Sequence, residues 1–119
     1  MQTYDDAAIA RKLTGSLRHW RHDHSALCRI YRTSNWQATV MAFNAVAHLC
    51  EQAWHHPDMH ASFNRLEVRL NTHDAGGITD RDFELAERIE AQIQWRPADA
   101  SALEAAQSDG RAPYIHIDD

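Results

Sequence analysis

Apolar and polar residues alternate most regularly in the second half of the chain. Between positions 65 and 71 every second residue is apolar, which is typical of a strand with one face in a core: Leu66, Val68 and Leu70. Met59, Ala61 and Phe63 alternate in the same way just before it. The intervening Asn64-Arg65 is suited to a turn, so the pattern predicts a β-hairpin.

A second hairpin is predicted earlier, from about residue 20 to residue 32. The alternation of apolar and polar residues is weak at first and then improves. Leu27, Arg29 and Tyr31 would face one side of the strand, and Cys28, Ile30 and Arg32 the other. The polar run Asp23-His24-Ser25 lies where the chain would reverse.

Three helices are predicted from spacings of three and four. Thr3 is the expected N-cap of the first, with Asp6 in a capping-box position, and Gly15 is expected to stop it. Thr79 is the expected N-cap of the last, again with a capping-box residue, Asp82. The buried stripe expected for that last helix is Phe83, Ala86, Ile89 and Ile93.

The central helix is the longest, beginning at a cap on Ser34 or Asn35 and ending before Pro57. Its main apolar stripe is expected to be Trp36, Val40, Phe43, Ala47, Cys50 and Trp54. A weaker second stripe comprises Met41, Ala45, His48 and Leu49. A helix with two apolar sides can pack against its own sheet and against another subunit.

The element order α-β-β-α-β-β-α predicts an α+β domain over residues 1–96, with an antiparallel sheet and helices on one face. After Arg96-Pro97 the composition changes to an acidic, Ala-rich tail over residues 97–119. The tail is expected to hold at most a short helix from Ser101, and otherwise to be mobile or to dock on a partner.

Composition narrows the function classes. A formal net charge of −5 without a Lys/Arg cluster argues against direct nucleic-acid binding. No apolar run approaches the roughly 20 residues that span a bilayer. The first residues resemble no secretion signal, so a cytoplasmic location is expected, with Cys28 and Cys50 as reduced, buried thiols.

Histidine is unusually frequent, with nine in 119 residues. One group is His19, His22 and His24, around the first hairpin. Those spacings could hold a metal, but no carboxylate or cysteine completes an obvious ligand set. Ordinary surface histidines at a turn are the better interpretation.

The second group is denser and lies around the end of the central helix: Glu51, His55, His56 and His60, with His73 beyond the second hairpin. If that hairpin forms, His73 returns beside the helix end, and three imidazoles can share a pocket. Such a pocket offers proton donors and acceptors near neutral pH. Glu51, one turn before His55, could orient an imidazole. A plain helix end and a zinc site remain alternatives, although adjacent histidines make awkward joint ligands.

These residues form a motif that resembles the pterin-4a-carbinolamine dehydratase family. Glu51 is followed by His55-His56-Pro57, aromatic Phe63, His73 and Asp82 at family spacings, and the resemblance covers roughly residues 3 to 95. Neighbouring segments agree with it: Asn64-Arg65-Leu66-Glu67-Val68 and Thr72-His73-Asp74-Ala75-Gly76-Gly77-Ile78-Thr79.

The resemblance implies a four-stranded sheet, homodimers or homotetramers associated partly through the central helix, and no metal or organic cofactor. It also implies dehydration of 4a-hydroxytetrahydropterin to quinonoid dihydropterin, in tetrahydrobiopterin recycling. His55 and His73 would be the acid/base pair. The residues implied to bind or support the substrate are His56, Glu51, Phe63 and Asp82.

Three positions depart from the family pattern. Trp54 stands where a small polar residue is common, Met59 replaces an aromatic or branched residue, and Phe63 stands where Tyr is frequent. These changes bear on the pocket rim and on substrate preference. A non-catalytic binding module stays open as an alternative, either a transcriptional coactivator or an assembly factor for carbon-fixing enzymes.

Overall fold

Four antiparallel strands form one sheet in the order β1-β2-β4-β3 in the computed structural model, which describes residues 1–103 and 113–116. The strands are β1 (Arg21–Asp23), β2 (Ala26–Arg32), β3 (Asp58–Ser62) and β4 (Arg65–Leu70). Both predicted hairpins are confirmed, turning at His24-Ser25 and at Phe63-Asn64. β2 and β4 pair over six residues in the middle of the sheet.

Three helices complete the predicted order: α1 (Asp6–Lys12), α2 (Trp36–Ala53) and α3 (Asp80–Ile93). The predicted fold class is confirmed, because the strands turn alternate residues toward the helices. Fully buried strand residues on that face include Leu27, Leu66, Val68 and Leu70. They form one core with the predicted stripe of α3: Phe83, Ala86, Ile89 and Ile93. Among the described residues no helix is both long enough and apolar enough to cross a membrane.

The cap predicted for α1 is wrong. Asp5, not Thr3, is the N-cap, and its carboxylate accepts a hydrogen bond from the Ala8 backbone N–H at 2.8 Å. The next residue, Tyr4, is still outside the helix, and its backbone N–H donates to the Ile78 carbonyl at 2.9 Å. The chain therefore enters α1 from an extended contact with the segment before α3.

The core-facing side of α2 also differs from the prediction. Asn35 is the N-cap as expected, but the buried stripe is made of mostly small residues: Ala38, Thr39, Ala42, Val46 and Cys50. Small side chains let the helix axis lie close to the sheet, which the larger residues would prevent. From the predicted main stripe, Cys50 is buried and Phe43 packs against the core. Trp36 and Met41 are each 51% exposed and form, with Val40, an outward side of the helix.

Residues 113–116 dock on their own chain, so the expected mobility or partner docking is wrong for this part of the tail. Ser34 N–H bonds to the Tyr114 carbonyl, and His116 N–H bonds to the Arg32 carbonyl. Ile115 is 1% exposed and belongs to the core. Ser101 begins no helix within the described residues, and 104–112 lie outside them. The domain boundary at residue 96 stays a prediction.

Candidate functional site

The end of α2 sets the directions of the two adjacent histidines. The helix ends at Ala53, and Trp54 takes a left-handed conformation (φ 50°, ψ 46°). The His55 N–H then bonds back to the Cys50 carbonyl at 3.1 Å, as at many helix ends that terminate in a left-handed residue. The reversal turns His55 inward, with 13% of its side chain exposed, while His56 keeps 52% exposed.

His55 is held by a buried carboxylate on α3. Its Nε2 lies 2.7 Å from Oδ1 of Asp82, whose side chain is fully buried. Asp82 occupies the first turn of α3, where the positive end of the helix favours a negative charge. The predicted capping box is present, so Asp82 both caps its helix and contacts His55.

Two threonines donate hydrogen bonds to the other carboxylate oxygen of Asp82. Its Oδ2 accepts from Thr72 Oγ1 at 2.8 Å and from the Thr79 N–H at 2.9 Å. The two threonine hydroxyls lie 2.6 Å apart. Since the one proton of Thr72 goes to Asp82, Thr79 must donate to Thr72. These neutral donors leave Oδ1 as the acceptor for His55.

This arrangement selects one form of the His55 ring. With Asp82 ionised, Nε2 must carry the proton that Oδ1 accepts. In the neutral ring Nδ1 is then the nitrogen with a free lone pair, and it can take up a proton.

Glu51 pairs with His56 and not with His55. Its Oε1 lies 2.8 Å from His56 Nε2, and both side chains are more than half exposed. The left-handed turn at Trp54 breaks the helical register, so the one-turn spacing from Glu51 to His55 no longer brings them together. The Trp54 ring stands edge-on to the His56 ring, with centroids 4.9 Å apart.

His73 lies on the loop that Thr72 anchors to Asp82. It begins a short 3₁₀ turn, His73–Ala75, three residues after the end of β4, and its side chain is exposed. Among the described residues it makes no hydrogen bond to His55 or His56. The topology thus returns His73 to the end of the hairpin at which α2 terminates, and its joint action with His55 stays a prediction.

Phe63 and His60 lie apart from that end. Phe63 is in the turn between β3 and β4 and is 65% exposed. β3 separates it from the His55 end by five residues, about 17 Å of extended chain. His60 is exposed on β3 opposite Glu67, on the other face of the sheet from its core-packed neighbour Met59.

A groove of about 1040 Å³ opens beside His55, between the end of α2 and α3. Trp54, which the sequence places at a pocket rim, lines this groove. Sequence reasoning missed the rest of the wall: Leu49, Gln52, Ala53, Arg81, Glu84, Leu85, Glu87, Arg88 and Ala91. It also missed Thr72 as a partner of Asp82. Both omissions concern contacts between segments that are distant in sequence. The type of a single residue does not indicate which distant segment it will contact.

The first histidine group does not converge. His22 lies 3.9 Å from Asp6, and His24 bonds to its neighbour Asp23 at 2.9 Å. The His19 Nε2 is buried and has no hydrogen-bond partner within the described part of the chain. Over residues 1–103 and 113–116, no three His, Cys, Asp or Glu side chains form a metal-binding group.

The two cysteines are buried and unpaired with each other. Burial raises the pKa of Cys50 to about 11. Burial, followed by a hydrogen bond to Glu67, also raises the pKa of Cys28. Both are therefore protonated at neutral pH, and thiolate chemistry is not favoured.

Comparison with known proteins agrees with the motif. The family model described as Pterin 4 alpha carbinolamine dehydratase matches residues 2–92. An Aquifex aeolicus protein named "Putative pterin-4-alpha-carbinolamine dehydratase" is 40% identical over 79 residues, covering 66% of this chain and 80% of the relative. A Thermomicrobium roseum protein of the same name is 42% identical over 89 residues, covering 75% and 95%.

A solved structure has a similar fold. The crystal structure of a transcriptional coactivator/pterin dehydratase from Brucella melitensis matches with a TM-score of 0.69 at 23% identity. The match covers 76% of this chain and 97% of that one. The family match over residues 2–92 and relatives near 40% identity lead to one conclusion: this chain belongs to the pterin 4 alpha carbinolamine dehydratase family.

Proposed function

We propose that this protein dehydrates 4a-hydroxytetrahydropterin to quinonoid dihydropterin, with His55 and His73 as general acid and base. The C4a–O bond breaks, the leaving oxygen receives a proton and departs as water, and a ring nitrogen loses a proton. One proton is gained and one is lost, so the reaction needs two groups that exchange protons near neutral pH. It serves tetrahydrobiopterin recycling.

The observation that carries the proposal is the bond between His55 and the buried Asp82. A surface histidine at a helix end would have water as its partner. Here a fully buried carboxylate, itself held by Thr72 and Thr79, fixes the ring and leaves one nitrogen for the substrate. That degree of support is expected for a group that must meet a reacting atom in one orientation.

His56 and Glu51 are proposed to bind the substrate. They form an exposed pair directly beside His55, where Glu51 accepts the proton on His56 Nε2 and leaves Nδ1 of the neutral ring as an acceptor for a pterin N–H group. The family resemblance implies the same role for Phe63, which lies at the far end of the hairpin. A contact from Phe63 to the same substrate therefore stays a prediction.

A homodimer or homotetramer in the cytoplasm completes the proposal. The outward side of α2 carries exposed apolar residues that a second copy could cover, including Trp36, Val40 and Met41. Exposed apolar surface of this kind is a common feature of subunit contacts.

The deciding experiment is a turnover assay on enzymatically generated 4a-hydroxytetrahydropterin. We expect His55→Ala and His73→Ala each to lower kcat by about 10²- to 10⁴-fold, the range typical of a lost general acid or base. His60→Ala is the matched control, since it removes an exposed imidazole from the opposite face of the sheet. Wild-type turnover equal to the uncatalysed background would refute the enzyme proposal.

A non-catalytic binding module is the second candidate. It is favoured by the exposed side of α2 and by the Brucella melitensis protein of similar fold, whose name pairs coactivator with dehydratase. This function would survive His55→Ala and His73→Ala. Binding to a defined partner that is lost in those variants would count against it.

A further inference from the structure

Trp54 has a backbone conformation that its side chain does not favour. At φ 50° and ψ 46° the Cβ of an ordinary residue crowds its own carbonyl, and glycine or asparagine normally occupies such a helix end. Among the described residues, only His24 is a second non-glycine residue with positive φ. A bulky aromatic residue in this region is uncommon, and such residues often lie at functional sites.

The Trp54 side chain contributes little to the core. It is 75% exposed, more than any other large hydrophobic residue of the described chain. Its ring contact is the edge-on approach to His56, a residue that is itself half exposed. Neither packing nor helix termination therefore explains why tryptophan stands at this position.

The location of Trp54 suggests a different reason. It precedes His55 directly and lines the same groove, and its indole meets the ring of His56. A flat ligand that reached His55 through this groove would pass an exposed aromatic plane. Flat heteroaromatic rings stack on tryptophan with a gain of affinity.

We propose that Trp54 is a specificity-determining residue that packs its indole against the flat pterin ring and orients His56 beside it. The inference rests on the proposed function, because it takes the ligand to be a reduced pterin. It predicts that Trp54 acts on substrate binding, with little part in proton transfer, so its loss raises KM far more than it lowers kcat.

The test uses two substitutions at position 54 and one elsewhere. Trp54→Asn removes the aromatic ring and relieves the backbone, whereas Trp54→Phe keeps a ring. His24→Asn is the matched control, since it relieves the other positive-φ residue, in the β1–β2 turn. Each variant is assayed for Tm, for KM and kcat, and for equilibrium binding of dihydrobiopterin by calorimetry.

We expect Trp54→Asn to raise Tm by a few degrees while raising KM and the dihydrobiopterin Kd about three- to tenfold. Trp54→Phe should keep most of the affinity. His24→Asn should raise Tm without changing KM or Kd. A gain in stability joined to a loss of binding would support a role for Trp54 in recognition.

The remaining outcomes separate the two proposals. Unchanged KM and Kd in Trp54→Asn would overturn the inference, as would a change that follows the oligomeric state and disappears at high protein concentration. If the wild type shows no turnover but binds dihydrobiopterin more tightly than Trp54→Asn does, the dehydratase proposal fails and the role of Trp54 stands. A wild type that binds no dihydrobiopterin overturns both.

Discussion

Two buried carboxylates lie eight residues apart on α3, and they have opposite kinds of partners. Asp82 contacts two threonines and one histidine. Glu90, nearer the end of the helix, accepts hydrogen bonds from Trp20 Nε1, Tyr31 Oη and Arg29 at 2.7 to 3.0 Å. Both carboxylates are well bonded, but only one has a partner that can exchange a proton near neutral pH.

The Glu90 cluster is built to stay in one protonation state. Burial by itself raises the pKa of Glu90, but the hydrogen bonds from Arg29 and Tyr31 outweigh it, and the pKa is lowered overall. Burial also strongly raises the pKa of Tyr31. An arginine cannot release its proton at physiological pH, so this cluster is fixed in charge.

The Asp82 cluster differs because its third partner is histidine. A carboxylate that orients an imidazole leaves a group whose charge can change during a reaction. Burial of a carboxylate therefore does not by itself mark a functional site. The distinguishing feature is whether the group it holds can titrate and reaches an open groove.

The largest expected effect concerns the fixed cluster. Glu90→Ala leaves the Arg29 charge and two further donors without their buried acceptor, so we expect the free energy of unfolding to fall by about 3–5 kcal/mol. Denaturant unfolding measures it. Glu87→Ala, an exposed residue of the same helix, should change stability by about 1 kcal/mol or less. A Glu90→Ala loss no larger than that of Glu87→Ala would contradict the comparison.

Asp82→Asn should show the other side of the contrast. The amide keeps the size of the side chain but can donate to His55, which removes the preference for the Nε2–H form. We expect turnover to fall by about 10²-fold, with a smaller loss of stability of about 1 kcal/mol from the weakened cap. Steady-state kinetics and the ring nitrogen shifts of His55 by NMR check both.

Asp80→Asn is the control for Asp82→Asn, since Asp80 is an exposed residue of the same helical turn whose carboxylate bonds to the Tyr4 hydroxyl. It should leave turnover and the His55 ring unchanged. If Asp82→Asn keeps both wild-type turnover and the Nε2–H form of His55, the carboxylate is only a helix cap.

The second hairpin and α3 could be predicted because each has one buried and one more exposed face, whereas β2 of the first hairpin is buried on both faces from Ala26 to Arg29. Leu66, Val68 and Leu70 alternate with charged residues, so the period alone assigned the strand and its inward side. Thr79 and Asp82 specified the start of α3 through local hydrogen bonds. These signals lie within a few residues of one another, where sequence is informative.

The orientation of α2 could not be predicted in the same way. Its most deeply buried positions include Ala38, Ala42 and Val46, while Trp36 and Met41 stay exposed. A hydrophobicity pattern ranks tryptophan above alanine and so favours the wrong side. Which side of the helix is buried depends on the distance between the helix and the sheet, which is a property of the tertiary structure.

The sequence indicated which residues belong to the candidate site better than it indicated which of them bond to each other. The motif contains His55, His56 and Asp82, but the pairing of Glu51 with His56 depends on the left-handed turn at Trp54, which nothing in the local sequence indicates. Thr72 joins the site only because β4 ends beside α3.

The pH dependence of stability also tests the comparison of Glu90 with Asp82, and its expected effect is smaller than that of either substitution above. Because the pKa of Glu90 in the folded state lies below its ordinary value of 4.5, its ionised form stabilises the fold above about that pH. This contribution is lost as the pH falls from the ordinary value through the folded one. Glu90→Gln removes the titrating group, so the stability difference between wild type and Glu90→Gln should shrink below pH 4.5.

The control is another carboxylate with a lowered pKa but a different setting. A hydrogen bond from Arg69 lowers the pKa of Asp23, whose side chain is 34% exposed on the surface of the sheet. Water screens that pair, so Asp23→Asn should change the acid dependence less than Glu90→Gln does. Unfolding curves at several pH values give both differences. If the two substitutions reduced the acid dependence of unfolding equally, burial would add nothing to the contribution of Glu90. Its pair with Arg29 would then behave like an ordinary surface ion pair.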